Sequence, residues 1–158
     1  MNMYCQSAFH QLEIVIASIS EMVGQLSEED LTLRPTEGKY SIGELLEHIA
    51  AIPAADGHIT EGASKAEMEH FYETVSMKTK DEILERLFDN FAQLKAQFEN
   101  YTEEHLYTET TSWWGVTNTR FEWLVQTVAH MYHHRGQLHA MLVHTYKKDR
   151  SEERRVGK

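Results

Sequence analysis

The sequence contains a single cysteine, Cys5, and no long uninterrupted run of apolar residues. One cysteine excludes a disulfide bond within the chain, and a chain without disulfides fits a reducing compartment. A membrane-spanning helix needs roughly 20 consecutive apolar residues, and no stretch approaches that length. Residues 1–6 lack the basic start and apolar block of a signal peptide. We therefore expect a soluble, cytoplasmic protein with no membrane contact.

Basic residues are scarce over most of the chain. The sequence has 25 acidic and 15 basic side chains, and six of the basic ones lie in residues 147–158. Residues 1–146 are therefore strongly acidic, which disfavours binding to nucleic acid or to an anionic membrane. We predict that residues 147–158 form a charged, disordered tail. Residues 1–146 are long enough to form a single domain with a buried core.

Apolar residues recur at steps of three and four in four segments, a spacing typical of amphipathic helices. The segments cover about residues 3–26, a stretch that begins at Ser41, about residues 79–101 and about residues 119–146. Three of them start with a capping box, in which Ser or Thr is followed three positions later by Glu. The pairs are Ser41 with Glu44, Thr79 with Glu82, and Thr119 with Glu122. No segment shows β-alternation, so the sequence predicts an all-α bundle.

Two stretches interrupt this helical pattern. Pro53 is expected to end or bend the second helix, because proline cannot donate a backbone hydrogen bond. Residues 54–77 then read as an insertion, mostly loop, with a short helix capped by Ser64 and reaching Val75. Such an insertion is where a lid over a pocket would lie. Residues 105–118 contain Trp113-Trp114-Gly115 and form an aromatic loop that either folds over the bundle or lines an entrance.

The last predicted helix carries two apolar rows on roughly opposite sides. One row contains Phe121, Leu124, Val125, Val128, Tyr132 and Leu142, and the other contains Trp123, Thr127, His130, His134 and Met141. A helix that is apolar on two sides is buried on two sides. Either one row faces a pocket and the other the core, or one row meets a second copy of the chain. The second alternative predicts a homodimer.

Three histidines carry the strongest chemical signal. His130 and His134 lie four residues apart on the last helix, so their imidazoles project from the same face and can bind one cation. Two ligands rarely suffice, and the best third ligand is His48, on the second helix beside an otherwise apolar stripe. Burying an imidazole near two others is costly unless something pairs with them. Neutral imidazole suits zinc, nickel, copper and iron.

Other polar residues near these histidines have both a functional and a structural interpretation. Glu47, next to His48, could accept a hydrogen bond from a ligand or act as a general base, although simple exposure also explains it. His133 points about 100° away from His134 and is expected outside the ligand set, in a hydrogen bond or lining the pocket. Arg135 either binds a substrate carboxylate or pairs with an acidic residue on a neighbouring helix, and the second reading is favoured.

Two motifs resemble a known family. The segment Ser41-Ile42-Gly43-Glu44-Leu45-Leu46-Glu47-His48 resembles the second helix of the DinB/YfiT-like metal-binding proteins. The segment His130-x-x-x-His134-Arg135-Gly136-Gln137 resembles their last-helix signature. The resemblance implies a four-helix bundle, often a homodimer, in which His48, His130 and His134 hold a divalent metal and leave a position open for water or a thiol. The implied metal is zinc or nickel, with manganese or iron as alternatives.

Three hypotheses for the function stay open. Some relatives are thiol S-transferases that use bacillithiol, mycothiol or glutathione, and others are called metal-dependent hydrolases. The leading hypothesis is a transferase, in which the metal stabilises a small thiolate that attacks an electrophile. The close rival uses the same metal to activate water. The third hypothesis is a non-catalytic stress-response or ligand-binding protein whose metal is structural.

Overall fold

The computed structural model describes residues 1–147, so the predicted tail lies outside the described residues except for Lys147. The helices are α1 (Met3–Gly24), α2 (Ile42–Thr60), α3 (Lys65–Thr74), α4 (Lys80–Glu99), α5 (Glu103–Tyr107) and α6 (Arg120–Ala140). A 3₁₀ turn (Glu29–Thr32) precedes α2, and a π-helical turn (Met141–Thr145) continues α6. Strands β1 (Glu109–Thr111) and β2 (Thr117–Thr119) form an antiparallel hairpin. Within residues 1–147, no helix is long and apolar enough to cross a membrane.

The four long helices α1, α2, α4 and α6 enclose the core. Each contributes side chains that are almost fully removed from solvent: Phe9, Leu12 and Ile19 from α1, Leu45, Leu46 and Ile49 from α2, Leu87, Leu94 and Phe98 from α4, and Leu124, Met131 and Leu138 from α6. Burying one such side chain stabilises the fold by about 1.5–3 kcal/mol before entropic costs. The predicted all-α four-helix bundle is therefore confirmed.

Capping boxes fix the starts of four helices. In the Ser41 box, the Glu44 backbone N–H donates to the Ser41 hydroxyl at 3.1 Å, and the Ser41 N–H donates to the Glu44 carboxylate at 2.8 Å. The same reciprocal bonds occur in the boxes that begin with Ser64, Thr79 and Thr119. These bonds satisfy backbone donors that have no partner within the helix. The helix starts predicted from sequence are confirmed.

The second helix does not stop at Pro53, and this part of the prediction is wrong. Helix α2 continues to Thr60 with Pro53 buried inside it. Side chains of α4 bond to carbonyl groups on both sides of the proline: Asn90 donates to the Ala50 carbonyl at 2.8 Å, and Gln97 donates to the Gly57 carbonyl at 3.1 Å. These bonds tie the part of α2 around Pro53 to α4. Residues 54–60 are therefore two additional turns of helix and not loop, whereas residues 61–64, also predicted to be loop, lie between α2 and α3.

The predicted aromatic loop contains the β1–β2 hairpin, which the sequence did not indicate. The Ser112 N–H donates to the Val116 carbonyl at 2.8 Å, and Gly115 adopts a positive φ of 90°, which glycine allows without strain. The hairpin is attached to the bundle because the Trp123 indole N–H donates to the Thr110 hydroxyl at 2.9 Å. Its tip carries Trp113 and Trp114. The short insertion helix predicted after Ser64 is present as α3.

The predicted division of the last helix into two rows is only partly correct. Met131 and Leu138, which belong to neither row, are fully buried, whereas Val125 and Tyr132 are exposed. The exposed side chains adjoin α1, where Tyr132 donates from its hydroxyl to the Gln11 side chain at 3.1 Å. We call this region the α1–α6 surface and define it by its apolar and aromatic members Tyr4, Ile14, Phe121, Val125 and Tyr132.

Candidate metal centre

Helices α2 and α6 bring three histidines together. His48 lies on α2, and His130 and His134 lie one turn apart on α6. The Nε2 atoms of His48 and His134 are 3.1 Å apart, and one ring nitrogen from each of the three residues lies within 4.8 Å of the others. All three side chains are partly accessible to solvent. The juxtaposition expected from the sequence is present in the structure.

The geometry fits a divalent cation. Two nitrogens bound to one tetrahedral zinc at about 2.0–2.1 Å lie about 3.3 Å apart, close to the separation of His48 and His134. The donor set is three imidazoles, which suits zinc and its neighbours in the first transition row better than magnesium or calcium. Because the cluster remains partly open to solvent, a bound ion would retain a position for another ligand. The cluster could therefore hold a metal ion with an exchangeable site.

Hydrogen bonds orient two of the rings. The Nδ1 atom of His130 lies 3.2 Å from a carboxylate oxygen of Asp56, and the Nδ1 atom of His134 lies 2.9 Å from the amide oxygen of Gln137. Both oxygens are acceptors, so they favour a proton on Nδ1 and leave the lone pair of Nε2 directed at the cluster. The ring of Tyr40 stacks on His48 with centroids 5.8 Å apart. A carboxylate or amide behind a histidine is the usual support of a metal ligand.

The environment favours the neutral form of His48 and His134. Burial, with smaller contributions from His134 and His130, lowers the pKa of His48 to about 4. Burial is also the main cause that lowers the pKa of His134, reinforced by the neighbouring histidines. Neutral imidazole is the form that binds metals, so these two ligands need release no proton at pH 7.

Acidification should destabilise the metal-free protein. The His48 pKa falls from an ordinary 6.5 in the unfolded chain to about 4 in the folded one, so between these values the unfolded chain binds a proton that the folded chain does not. The free energy of unfolding is therefore unaffected by His48 above pH 6.5 and decreases as the pH falls toward 4. We expect the titration of His48 to lower the free energy of unfolding by roughly 1–2 kcal/mol between pH 7 and pH 4.5. The effect is smaller than it would be for a fully buried ring, because solvent screens the charge of a partly exposed one.

Chemical denaturation at the two pH values, with EDTA present, measures this loss. The parent should lose more stability than His48→Gln, which retains a polar side chain but has no imidazole to titrate. Subtracting the loss in the variant removes the contributions of the carboxylates. If His48→Gln lost as much stability as the parent, or more, the attribution of this pH dependence to His48 would be contradicted.

A pocket of about 510 Å³ adjoins the cluster on the side of His130. Its walls are mainly aromatic and apolar, and its lining residues are Asp56, Ile59, Met68, Tyr72, Trp113, Trp114, Trp123, Gln126, Ala129, His130 and His133. We call it the aromatic pocket. Both stretches that interrupt the helical pattern contribute to it, α3 on one side and the hairpin on another. His133 lines this pocket and is outside the histidine cluster, where the sequence placed it.

A second cleft, of about 980 Å³, has Tyr40 and Gln137 in its lining. Its lining is more polar and includes Arg34, Lys39, Tyr40, Glu44, Gln137 and His144. We call it the polar cleft. Tyr40 and Gln137 also contact the cluster, so the cleft is continuous with the two side chains that support His48 and His134.

Two polar residues considered from the sequence lie away from the cluster. The Glu47 carboxylate accepts a hydrogen bond from the Met77 backbone N–H at 2.7 Å and so holds the segment that precedes α4 against α2. The Arg135 guanidinium is buried and donates to the Ser18 hydroxyl on α1 at 3.0 and 2.8 Å. Both side chains therefore have structural contacts outside the histidine cluster, and neither lines the aromatic pocket or the polar cleft.

Sequence reasoning did not find Asp56. The residue was placed in a loop after Pro53, whereas it lies on α2 two turns beyond His48 and on the same side. Helices α2 and α6 run antiparallel, so Asp56 reaches His130 while His48 reaches His134. The spacing of eight residues between His48 and Asp56 would have been informative, but only if the helix was known to continue through the proline.

The fold and the histidine cluster together define the class of protein. The DinB family profile matches residues 5–144, which is most of the sequence. The chain therefore belongs to the DinB family. No match is found among curated proteins.

Solved structures with the same fold include several family members. A DinB family protein from Exiguobacterium sibiricum is 27% identical, with a TM-score of 0.79 over 94% of this chain and 97% of that one. A DinB-like protein from Bacillus cereus is 18% identical, with a TM-score of 0.71 over 89% and 92% of the two chains. A mycothiol-dependent maleylpyruvate isomerase is 14% identical, with a TM-score of 0.65, and this chain covers 63% of its length. At these last two identities the likeness shows the fold alone.

Proposed function

We propose that this chain is a metal-dependent enzyme that transfers a small thiol to an electrophile, with His48, His130 and His134 as the metal ligands. The observation that carries the proposal is the convergence of three imidazoles on one partly open point, with His130 lining the aromatic pocket. No cysteine lies in the cluster: Cys5 is buried in α1, and burial raises the pKa of its thiol. In this proposal the nucleophile is an external thiol.

Zinc or nickel suits this centre best. Three neutral nitrogen ligands with one carboxylate behind them favour the borderline ions of the later transition series over manganese or iron. When bound, such an ion supplies a Lewis acid that stabilises the thiolate form of a small thiol near neutral pH.

The residues around the centre have distinct tasks in this proposal. Asp56 and Gln137 hold the rings of His130 and His134, so the ligands need little rearrangement. Tyr40 covers one face of His48. The polar cleft is large enough for a hydrophilic thiol and offers Lys39 and Gln137 as hydrogen-bond donors. The isomerase with the same fold is named for its dependence on mycothiol, which supports a thiol as the co-substrate.

A conjugation assay tests the proposal. The zinc-loaded and nickel-loaded proteins should join bacillithiol, mycothiol or glutathione to 1-chloro-2,4-dinitrobenzene faster than the uncatalysed reaction, as read from the absorbance of the product. His134→Ala should reduce the rate to background. No turnover with any of the three thiols would reject the transferase. Zinc-dependent hydrolysis of p-nitrophenyl acetate without thiol would then favour the hydrolase, and stabilisation by zinc without turnover would favour a structural metal.

We also propose that two copies pair through the α1–α6 surface. This surface exposes Tyr4, Ile14 and Val125 on adjacent helices, and an exposed apolar patch of this kind commonly marks a protein interface. It lies on the side of α6 away from the histidine cluster, so pairing would leave both pockets accessible. The homodimer stays a prediction, and the sedimentation coefficient of the protein measures it directly.

A further inference from the structure

We infer that the aromatic pocket binds an uncharged aromatic molecule of two or three rings, and that this molecule is the electrophile of the reaction. The second part of this inference rests on the proposed function. The first part concerns binding alone and stands on the walls, size and charge of the pocket.

The walls present aromatic rings in several orientations. The rings of Trp113 and Trp114 are 5.5 Å apart and nearly perpendicular, and those of Trp114 and Trp123 are 6.2 Å apart and also nearly perpendicular. Tyr72 adds another ring from α3. Perpendicular indoles offer both a face and an edge to a bound ring, the two arrangements that aromatic pairs prefer.

The two tryptophans at the hairpin tip are unusually accessible. Trp113 is 49% exposed and Trp114 is 45% exposed, while Trp123 behind them is buried. The hairpin is held by Thr110, Ser112 and the backbone, so its attachment does not require large aromatic side chains at the tip. Indole surface left facing a concave, mostly apolar space of about 510 Å³ is typical of a site that a small molecule covers.

The charge of the lining disfavours anionic ligands. Within residues 1–147, no lysine or arginine is among the lining residues, and the acidic residue of the lining, Asp56, already bonds to His130. The Lys65 ammonium lies 5.7 Å from the centroid of the Trp113 ring, but it is already engaged by that ring and by the Glu69 carboxylate at 3.6 Å. A carboxylate or phosphate would therefore lose its hydration without gaining a cationic partner from the lining. Gln126 and His133 provide neutral polar contacts for a nitro, carbonyl or amine substituent. An uncharged aromatic ligand therefore fits, with one edge beside His130 and the histidine cluster.

Fluorescence titration with N-phenyl-1-naphthylamine tests the binding. This uncharged probe brightens in apolar surroundings, and we expect saturable binding to the full-length protein with and without zinc. Its sulfonated counterpart, 1-anilinonaphthalene-8-sulfonate, has the same ring skeleton with one negative charge and should bind at least tenfold more weakly. Equal or tighter binding of the sulfonate would overturn the assignment to uncharged ligands.

Substitutions at the hairpin tip locate the probe. Trp114→Ala should weaken binding of N-phenyl-1-naphthylamine at least tenfold, and Trp114→Phe, which retains an aromatic face, should restore most of it. Tyr107→Ala, which removes a ring that is 51% exposed but outside the pocket, should leave binding unchanged. Equal binding to the parent and to a Trp114→Ala protein with an unaltered circular dichroism spectrum would overturn the inference.

The result also separates this inference from the proposed function. Probe binding that depends on Trp114, in a protein that transfers no thiol, would support the aromatic site and reject the transferase. Thiol transfer by a protein that shows no saturable probe binding would support the transferase and reject the aromatic site. For the second part of the inference, the probe should inhibit conjugation competitively with respect to 1-chloro-2,4-dinitrobenzene, and inhibition competitive with the thiol instead would overturn it.

Discussion

His134→Ala is expected to weaken zinc binding by more than about 100-fold, because losing a metal ligand costs more than the 10–100-fold that follows loss of a group supporting one. The Nε2 atom of His134 lies 3.1 Å from that of His48. The substitution therefore removes one of the three clustered imidazoles and leaves two ligands. Thiol transfer should fall to the uncatalysed rate. Competition with a chromophoric zinc chelator measures the affinity.

His133→Ala is the matched control for this prediction. It removes an imidazole from the adjacent position of the same helix, but His133 is not among the clustered ligands. We expect its zinc affinity to stay within a few-fold of the parent. The account would be contradicted if His134→Ala bound zinc as tightly as His133→Ala.

Asp56→Ala should weaken zinc binding by roughly 10–100-fold, the usual effect of removing the acceptor behind a metal-bound histidine. The carboxylate lies 3.2 Å from Nδ1 of His130, and without it that ring loses both its orientation and some of its basicity. Asp56→Asn retains an oxygen acceptor without the charge and should fall between the parent and Asp56→Ala. The same chelator competition ranks the three proteins.

Stability measurements separate an effect on the ligand from an effect on the fold. The Asp56 side chain is only 14% exposed and bonds to His130, so Asp56→Ala loses one hydrogen bond. The metal-free forms of these variants should therefore unfold within about 2 kcal/mol of the metal-free parent. Zinc affinity of Asp56→Ala equal to that of the parent would remove Asp56 from the metal centre.

Local signals in the sequence were sufficient for the helix starts. The Ser41, Thr79 and Thr119 boxes each form within one turn, so the residues that make the bonds are three positions apart and are visible in the sequence. The part of α2 around Pro53 is also buried and bonded to Asn90 and Gln97, which are about 40 positions away on α4. Such tertiary contacts are not visible in the local sequence around a proline.

The prediction of the hairpin and of the buried side of the last helix failed for other reasons. Strands β1 and β2 have three residues each, too few for an alternating pattern to show. On α6, Val125 and Tyr132 are apolar or aromatic yet exposed, so hydrophobicity alone did not identify the side that faces the core. Apolar residues are common on protein surfaces, and periodicity cannot separate an outer apolar row from an inner one.

The candidate site was predictable where its residues are chemically distinctive. His130 and His134 have a recognisable spacing, and His48 stands out beside an apolar stripe, so the cluster followed from residue type and position. Asp56 did not, because an aspartate after a proline and before a glycine also reads as a turn. Arg135 is the opposite case, because it follows the candidate metal ligand His134 in the sequence but does not join the site. Its guanidinium bonds to Ser18 on α1.

Elemental analysis of protein purified without an affinity tag and without chelators tests the central claim most directly. The account predicts about one equivalent of a transition metal per chain, zinc or nickel, held by His48, His130 and His134. Metal content below about half an equivalent, with no tighter retention of added zinc than in His134→Ala, would contradict it.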